Sequence, residues 1–245
     1  MRKLMQSLAR RLLPAANLEI TLPTGIRVPV GSRDQVSRFE EIFLGHAYDE
    51  FIDRLGPLES VCDLGCNAGF FPLAIENRKR AKSQAKRTRY VCVDANPACL
   101  KIARRALERN LPTDSWEVVA GCVGEPGQKM SFHVSKADAH SSVLTKYSFA
   151  KTITMTALDL NAFFRDHFSS GIDLLKVDIE GAERFLVVSW GEALQQYCRR
   201  IMVEYHPFCG MTAAEFGARL EKLGFKAEIF QPDATGEQLG LFIRS

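Results

Sequence analysis

Short apolar runs alternate with stretches of helical period along most of the chain. Residues 59–64, 89–94, 116–121, 172–178 and 200–205 are brief apolar segments bounded by Gly, Pro, Asn or Asp, the signature of strands buried on both faces. Residues 69–80, 97–110, 158–167 and 212–223 repeat their apolar positions at helical spacing. Residues 225–230 and 239–244 read as closing strands, and the less regular section 122–157 holds a predicted hairpin, 131–134 with 151–156. Strand and helix in strict alternation predict a doubly wound α/β fold around a mostly parallel sheet, with helices on both faces. No internal repeat and no low-complexity linker interrupts it.

The first 57 residues have a different texture. Residues 2–13 form an amphipathic pattern, with Leu4, Met5, Leu8 and Leu12 on one side and Arg2, Lys3, Arg10 and Arg11 elsewhere, stopped by Pro14. Packing on its own domain or on a second copy in a homodimer is preferred to a membrane-surface role. Residues 17–33 read as a β-like lead-in and 34–55 as one or two helices. The expected division is a lead-in over 1–57 packed on a main domain over 58–245.

Composition changes this picture little. A chain of 245 residues with 46% hydrophobic and 25% charged residues is ordinary globular material. A net charge of +3 is too small to imply a polyanionic partner. Seven cysteines, an odd number with no Cys-x-x-Cys pair, fit reduced thiols in the cytoplasm better than a disulfide framework or zinc site. No apolar run reaches membrane-spanning length. The basic run 77–89 lies after the first core helix, where cations suit a helix C-terminus. Without interleaved aromatics, nucleic-acid binding is the lesser reading of that run.

The chemistry concentrates at three turns. Residues 61–69 (VCDLGCNAG) give a strand, a tight turn and a helix start, in which Gly65 and Gly69 let the backbone bend and approach a ligand. The dinucleotide pattern Gly-x-Gly-x-x-Gly is absent, since Asn67 stands where the second glycine would be. Asp63 would repel a pyrophosphate but suits an ammonium, which favours S-adenosylmethionine over NAD. Asp94 ends the next strand, where an acid can accept from ribose hydroxyls, and Asn96 can cap the following helix. Cys122 and Val123, after the third strand, lie where backbone groups would meet an adenine edge. Residues 173–183 (DLLKVDIEGAE) set Lys176, Asp178 and Glu180 on one side of an apolar strand. Such charges are costly unless the strand end opens on a ligand site.

Residues 63–69, 93–97 and above all 175–183 resemble the FkbM-type methyltransferases, a branch of the class I S-adenosylmethionine-dependent enzymes. The resemblance spans roughly residues 58–206, with a family-like lead-in near 40–48. It implies a Rossmann-like seven-stranded sheet with a reversed last strand, and methyl transfer to a hydroxyl of a sugar, glycan or natural product.

On that footing the cofactor contacts are expected from Asp63, Gly65, Cys66, Asn67, Gly69, Asp94, Ala95, Cys122, Val123, Ser142 and Asp178. Neighbouring fourth and fifth strands would deliver Asp178, Glu180, Glu204 and His206 to the acceptor. His206 is the natural general base and Asp178 the alternative. The same side chains could hold Mg²⁺ or Mn²⁺. A favourable meeting of Asp178 and Glu180 with the next helix's N-terminus, Lys176 neutralising one of them, is the purely structural alternative. Residues 39–48 could form a lid, with Glu40 or Glu41 facing the cofactor. Same-fold N-methylation, and non-catalytic binding of S-adenosylmethionine or RNA, are the rival functions.

Overall fold

The computed structural model describes residues 18–135, 149–233 and 235–245. The predicted helix at 2–13 and Ser142 fall outside them.

Seven strands form the central sheet: β3 (Ser60–Leu64), β4 (Arg89–Asp94), β5 (Trp116–Ala120), β8 (Leu174–Val177), β9 (Arg200–Tyr205), β10 (Phe225–Ile229) and β11 (Gln238–Arg244). Their order is β10-β11-β9-β8-β3-β4-β5. All pairings from β9 to β5 are parallel, whereas β11 runs antiparallel to both neighbours. The sheet is therefore mostly parallel with its last strand reversed, as expected. Two hairpins stand apart, β1 (Glu19–Thr21) with β2 (Arg27–Pro29), and β6 (Lys129–Ser135) with β7 (Phe149–Thr156).

The helices are α1 (Arg33–Phe39), α2 (Asp49–Leu55), α3 (Phe70–Ala81), α4 (Pro97–Asn110), α5 (Leu160–His167), α6 (Glu183–Ser189), α7 (Gly191–Tyr197) and α8 (Ala213–Lys222). Local chemistry starts several of them. Asn96 accepts from the Ala98 amide ahead of α4, Asp159 from Ala162 ahead of α5, and Thr212 with Glu215 makes a capping box on α8. A widened π-helical turn, Glu40–Leu44, prolongs α1. The pair α6 and α7 fills the connection that the sequence pattern showed only as a helical stretch.

Each sheet face carries its own core. On one face Leu64, Val93, Leu175, Val177 and Val203 pack against Phe164, Leu186, Trp190 and Phe216 of the later helices. On the other, Val61, Tyr90, Leu174 and Met202 pack against α3, α4 and the lead-in, with Ile26, Val28, Phe39, Phe43, Tyr48 and Ile52 all buried. Each such apolar side chain contributes about 1.5–3 kcal/mol on burial. Asn110 bolts the first hairpin onto α4 by accepting from the Arg27 amide and donating to its carbonyl, both at 2.8 Å. Tyr48 meets Phe71 edge-on at 5.1 Å. The lead-in thus roofs the sheet face that carries Asp63 and Lys176.

The basic run is spent on local ion pairs. Arg78 and Lys82 share Asp53, Lys79 meets Glu76 at 2.6 Å, Lys86 meets Glu59, and Arg87 meets Asp114 at 2.7 Å. Among the described residues no helix is long and apolar enough to cross a membrane.

Candidate active site

The parallel register sets the site. Asp63 of β3 lies beside Lys176 of β8, and Lys176 beside Met202 of β9. At the carboxyl ends of these strands opens a cleft lined from β3, β4 and β8 and from the lead-in, the place where open α/β sheets take their ligands.

At one end the turn after β3 closes tightly. The Gly65 and Cys66 amides both donate to the Val93 carbonyl, at 2.8 and 2.9 Å. Gly65 and Gly69 are left-handed, and so is Asn67 with φ of 47°. Asparagine is among the residues that tolerate this region. Asp94 braces the turn: one carboxylate oxygen accepts from the Asn67 amide at 2.9 Å and the other from Asn96 at 2.7 Å. Each oxygen retains a lone pair for a further donor. Burial pushes the Asp94 carboxyl up to about 6.

Asp63 is unlike Asp94. It is 1% exposed, lines the cleft, and neither carboxylate oxygen has a hydrogen-bond partner. Burial raises its pKa to about 7, against the pull of the Lys176 ammonium. A buried acid without donors is costly, so this position suits a cationic or donor group brought in by a ligand.

At the other end, Lys176 Nζ lies 3.1 Å from Asp178 Oδ2. Burial opposes ionisation of Asp178, but Lys176, Arg38 and His206 outweigh it and hold the carboxyl below its ordinary value. Glu180 leaves the strand in the left-handed region, with φ of 52°. Burial and repulsion from Asp178 push both Glu180 and Glu204 up to about 7. His206 is 2% exposed, with Nδ1 hydrogen-bonded to Glu183 Oε1 at 2.8 Å and Nε2 3.8 Å from Glu180 Oε2. Burial works against its charge, yet the Glu183 hydrogen bond and the surrounding acids raise it to about 9. Donor atoms of Asp178, Glu204 and His206 all lie within 4.8 Å of one another, a spacing that one cation could bridge.

The cleft wall includes Asp63, Gly65, Cys66, Asn67, Asp94, Ala95, Cys122, Val123, Asp178 and Glu180. Gly69 sits behind that wall as the N-cap of α3, and a Cβ there would touch Ala103 at 3.5 Å. Glu204 and His206 stand next to Asp178 just outside the wall. Four further residues belong to this arrangement without having been singled out as site residues: Arg38, Tyr48, Lys176 and Glu183. Lys176 and Glu183 lie inside the 173–183 segment; Lys176 stands in a strand expected to be buried, whereas the burial of Glu183 had no sequence signal. Arg38 and Tyr48 line the cleft from the lead-in. The expected lid does bury Phe39, Phe43 and Tyr48. Its polar contribution, however, comes from Arg38, while Glu41 is exposed and pairs with Arg38 at 3.3 Å.

Comparison with known proteins bears on the family and the fold. Residues 63–227 match the methyltransferase FkbM domain. Methyltransferase sdnD of Sordaria araneosa is 25% identical over 217 residues, covering 76% of this chain and 80% of that protein. The solved methyltransferase FkbM of Methylobacillus flagellatus superposes with a TM-score of 0.50 at 12% identity. That match takes in 76% of this chain but only 43% of the Methylobacillus one. The METTL16 methyltransferase domain superposes with a TM-score of 0.53 at 12% identity, over 99% of this chain and 91% of that one. At such identities the structural likeness is one of fold.

Proposed function

The chain belongs to the methyltransferase FkbM domain family, within the class I enzymes that use S-adenosylmethionine, and from that premise we propose that it methylates a hydroxyl of a sugar, glycan or other natural product. The observation that carries the reading is Asp63, buried in the cleft lining with neither carboxylate oxygen hydrogen-bonded. Its orphaned carboxylate fits the α-ammonium of S-adenosylmethionine. Asp94 would hold the ribose hydroxyls, and Ala95, Cys122 and Val123 would flank the adenine.

S-adenosylmethionine supplies a methyl electrophile and departs as S-adenosylhomocysteine. The acceptor oxygen forms the new bond to carbon as the carbon–sulfur bond breaks, and its proton must go to the protein. Direct displacement needs alignment above all. A hydroxyl also needs a base, and here three carboxylates and an imidazole gather where one is required. Asp178, held ionised by Lys176, would orient the hydroxyl. His206 would take the proton through Nε2, with Glu204 as the nearby alternative. His206 releases its resting proton more readily once a cation occupies the cleft, because like charges repel. An amine acceptor would need no such cluster.

A second reading rests on the 4.8 Å grouping of Asp178, Glu204 and His206: these side chains would hold Mg²⁺ or Mn²⁺ beside the acceptor oxygen. The seven cysteines are buried as thiols, which supports a reducing compartment such as the cytoplasm.

The test is calorimetric titration with S-adenosylmethionine, with and without Mn²⁺, followed by screens of hydroxyl and amine acceptors for S-adenosylhomocysteine release. Binding with transfer to hydroxyls supports the reading. Transfer confined to amines would replace it, and absence of cofactor binding would sink it.

A further inference from the structure

Glu183 opens α6 with its side chain turned back under the active-site strands. It is wholly buried. Its Oε1 accepts from the Gly181 amide at 3.1 Å and is hydrogen-bonded to His206 Nδ1 at 2.8 Å. An ionised carboxylate can only accept, so in its bond to Glu183 the Nδ1 atom is the protonated ring nitrogen. His206 Nε2 then points the other way, toward Glu180, Asp178 and Glu204. Gly181 contributes the second constraint, since its amide fixes where Oε1 can be.

We propose that Glu183 is a positioning residue: it holds His206 in the Nδ1–H form, with Nε2 presented to the acceptor. This rests on the reading of His206 as the base. A neutral imidazole has one donor and one acceptor nitrogen, and in water the proton is free to occupy either. Pinning it on Nδ1 leaves the Nε2 lone pair as the one available for the acceptor's proton. Buried carboxylates do the same elsewhere, fixing a ring's tautomer and orientation through its second nitrogen. Glu183 itself is wholly buried and does not line the cleft, so it acts through the ring rather than on the substrate.

The experiment is nitrogen-15 NMR of the imidazole in selectively labelled, cofactor-free protein, at a pH high enough to neutralise His206. Wild type should show the Nδ1–H tautomer. Glu183→Met, of similar size but without an acceptor, should shift His206 to the Nε2–H tautomer while binding S-adenosylmethionine within about threefold of wild type, a difference under about 1 kcal/mol. Glu183→Gln retains an acceptor oxygen and should keep the wild-type tautomer, which provides the comparison should Glu183→Met fail to fold. An Nε2–H tautomer in wild type, or an unchanged tautomer in Glu183→Met, would overturn the proposal. Equal collapse of cofactor binding in both variants would also overturn it, by making Glu183 a general structural prop. Failure of wild type to bind S-adenosylmethionine would instead strike the methyltransferase reading, and the tautomer result would stand apart from it.

Discussion

A Cβ on Gly65 would lie 1.6 Å from the carbonyl oxygen of Asp178. The cofactor-side turn and the acid of the chemical end are therefore in backbone contact, with the Asp178 amide also donating to Leu64 at 2.9 Å. Any shift of one turn moves the other.

Gly65→Ala should consequently be among the most damaging single-methyl changes in the chain. The contact is with backbone, which cannot step aside, and Gly65 also holds a left-handed φ of 83°. A loss of about 3 kcal/mol or more is expected, on the order of 10 °C in Tm for a domain of this size. Thermal melting checks it; a Tm within error of wild type would mean that the two turns separate freely.

Asp63→Asn should separate stability from binding. The substitution removes a buried charge that no hydrogen bond serves, so the cofactor-free protein should melt at the same temperature or higher, by about 1 kcal/mol. Affinity for S-adenosylmethionine should fall at least tenfold, about 1.4 kcal/mol. Since ionisation of Asp63 spans neutrality at about 7, wild-type affinity should strengthen between pH 6 and 8. A pH-independent affinity would remove Asp63 from the ammonium site.

The cofactor-free protein should be more stable in mild acid than in mild base. Asp63, Glu180 and Glu204 at about 7, and Asp94 at about 6, all sit above their ordinary values. They bind protons in the folded state that the unfolded chain has already lost, so stability falls as pH rises from about 4 to 7. His206, raised to about 9, extends the decline, its contribution being complete below about 6.5 and lost through about 9. Glu183, Glu180, Asp178 and Glu204 are the acids around that ring. At the acid end, Asp173 works oppositely. Burial opposes its charge, but the Glu59 and Ser60 amides and Arg199 hold its pKa low. Its contribution is present above about pH 4 and lost as pH falls further. Melting temperatures across pH 3–9 should peak at about pH 4, and a maximum above pH 8 would contradict the assigned shifts.

His206→Gln should leave the affinity for S-adenosylmethionine unchanged and lower turnover on a hydroxyl acceptor by about 10²- to 10⁴-fold. In wild type, turnover should rise with pH along a limb below about 9, because only the neutral ring accepts a proton. That limb should vanish in the variant. A limb that survives His206→Gln would move the base to Glu204.

Lys176→Met should be severe in a different way from Gly65→Ala. It strips Asp178 of a buried counter-charge at 3.1 Å, which costs about 3–5 kcal/mol when one partner of such a pair is removed. The double variant Lys176→Met, Asp178→Asn should recover much of that loss, since position 178 no longer carries a charge without its partner. Additive losses in the double-variant cycle would show that the pair is not coupled.

The linear order of residues determined most of the architecture and half of the site. Strand and helix periods are local properties, so the alternation that predicts the doubly wound sheet is readable without contacts, as are the turns at Gly65 and Asp94 and the acids of 173–183. Helix α6 and the reach of the lead-in were less legible, since α6 follows a left-handed Glu180–Gly181 turn that periodicity does not register.

Tertiary structure decided the rest, because charge and hydrogen bonding act through space. That Arg38 and Tyr48 line the cleft depends on the lead-in folding over one sheet face. That Glu183 meets His206 depends on β8 and β9 being neighbours and on where α6 starts. Whether a carboxylate is braced like Asp94 or orphaned like Asp63 depends on which backbone amides pass within 3 Å of it. Residue types set what each group can do; only the packed neighbours set its proton affinity, its orientation and whether it is left open for a ligand.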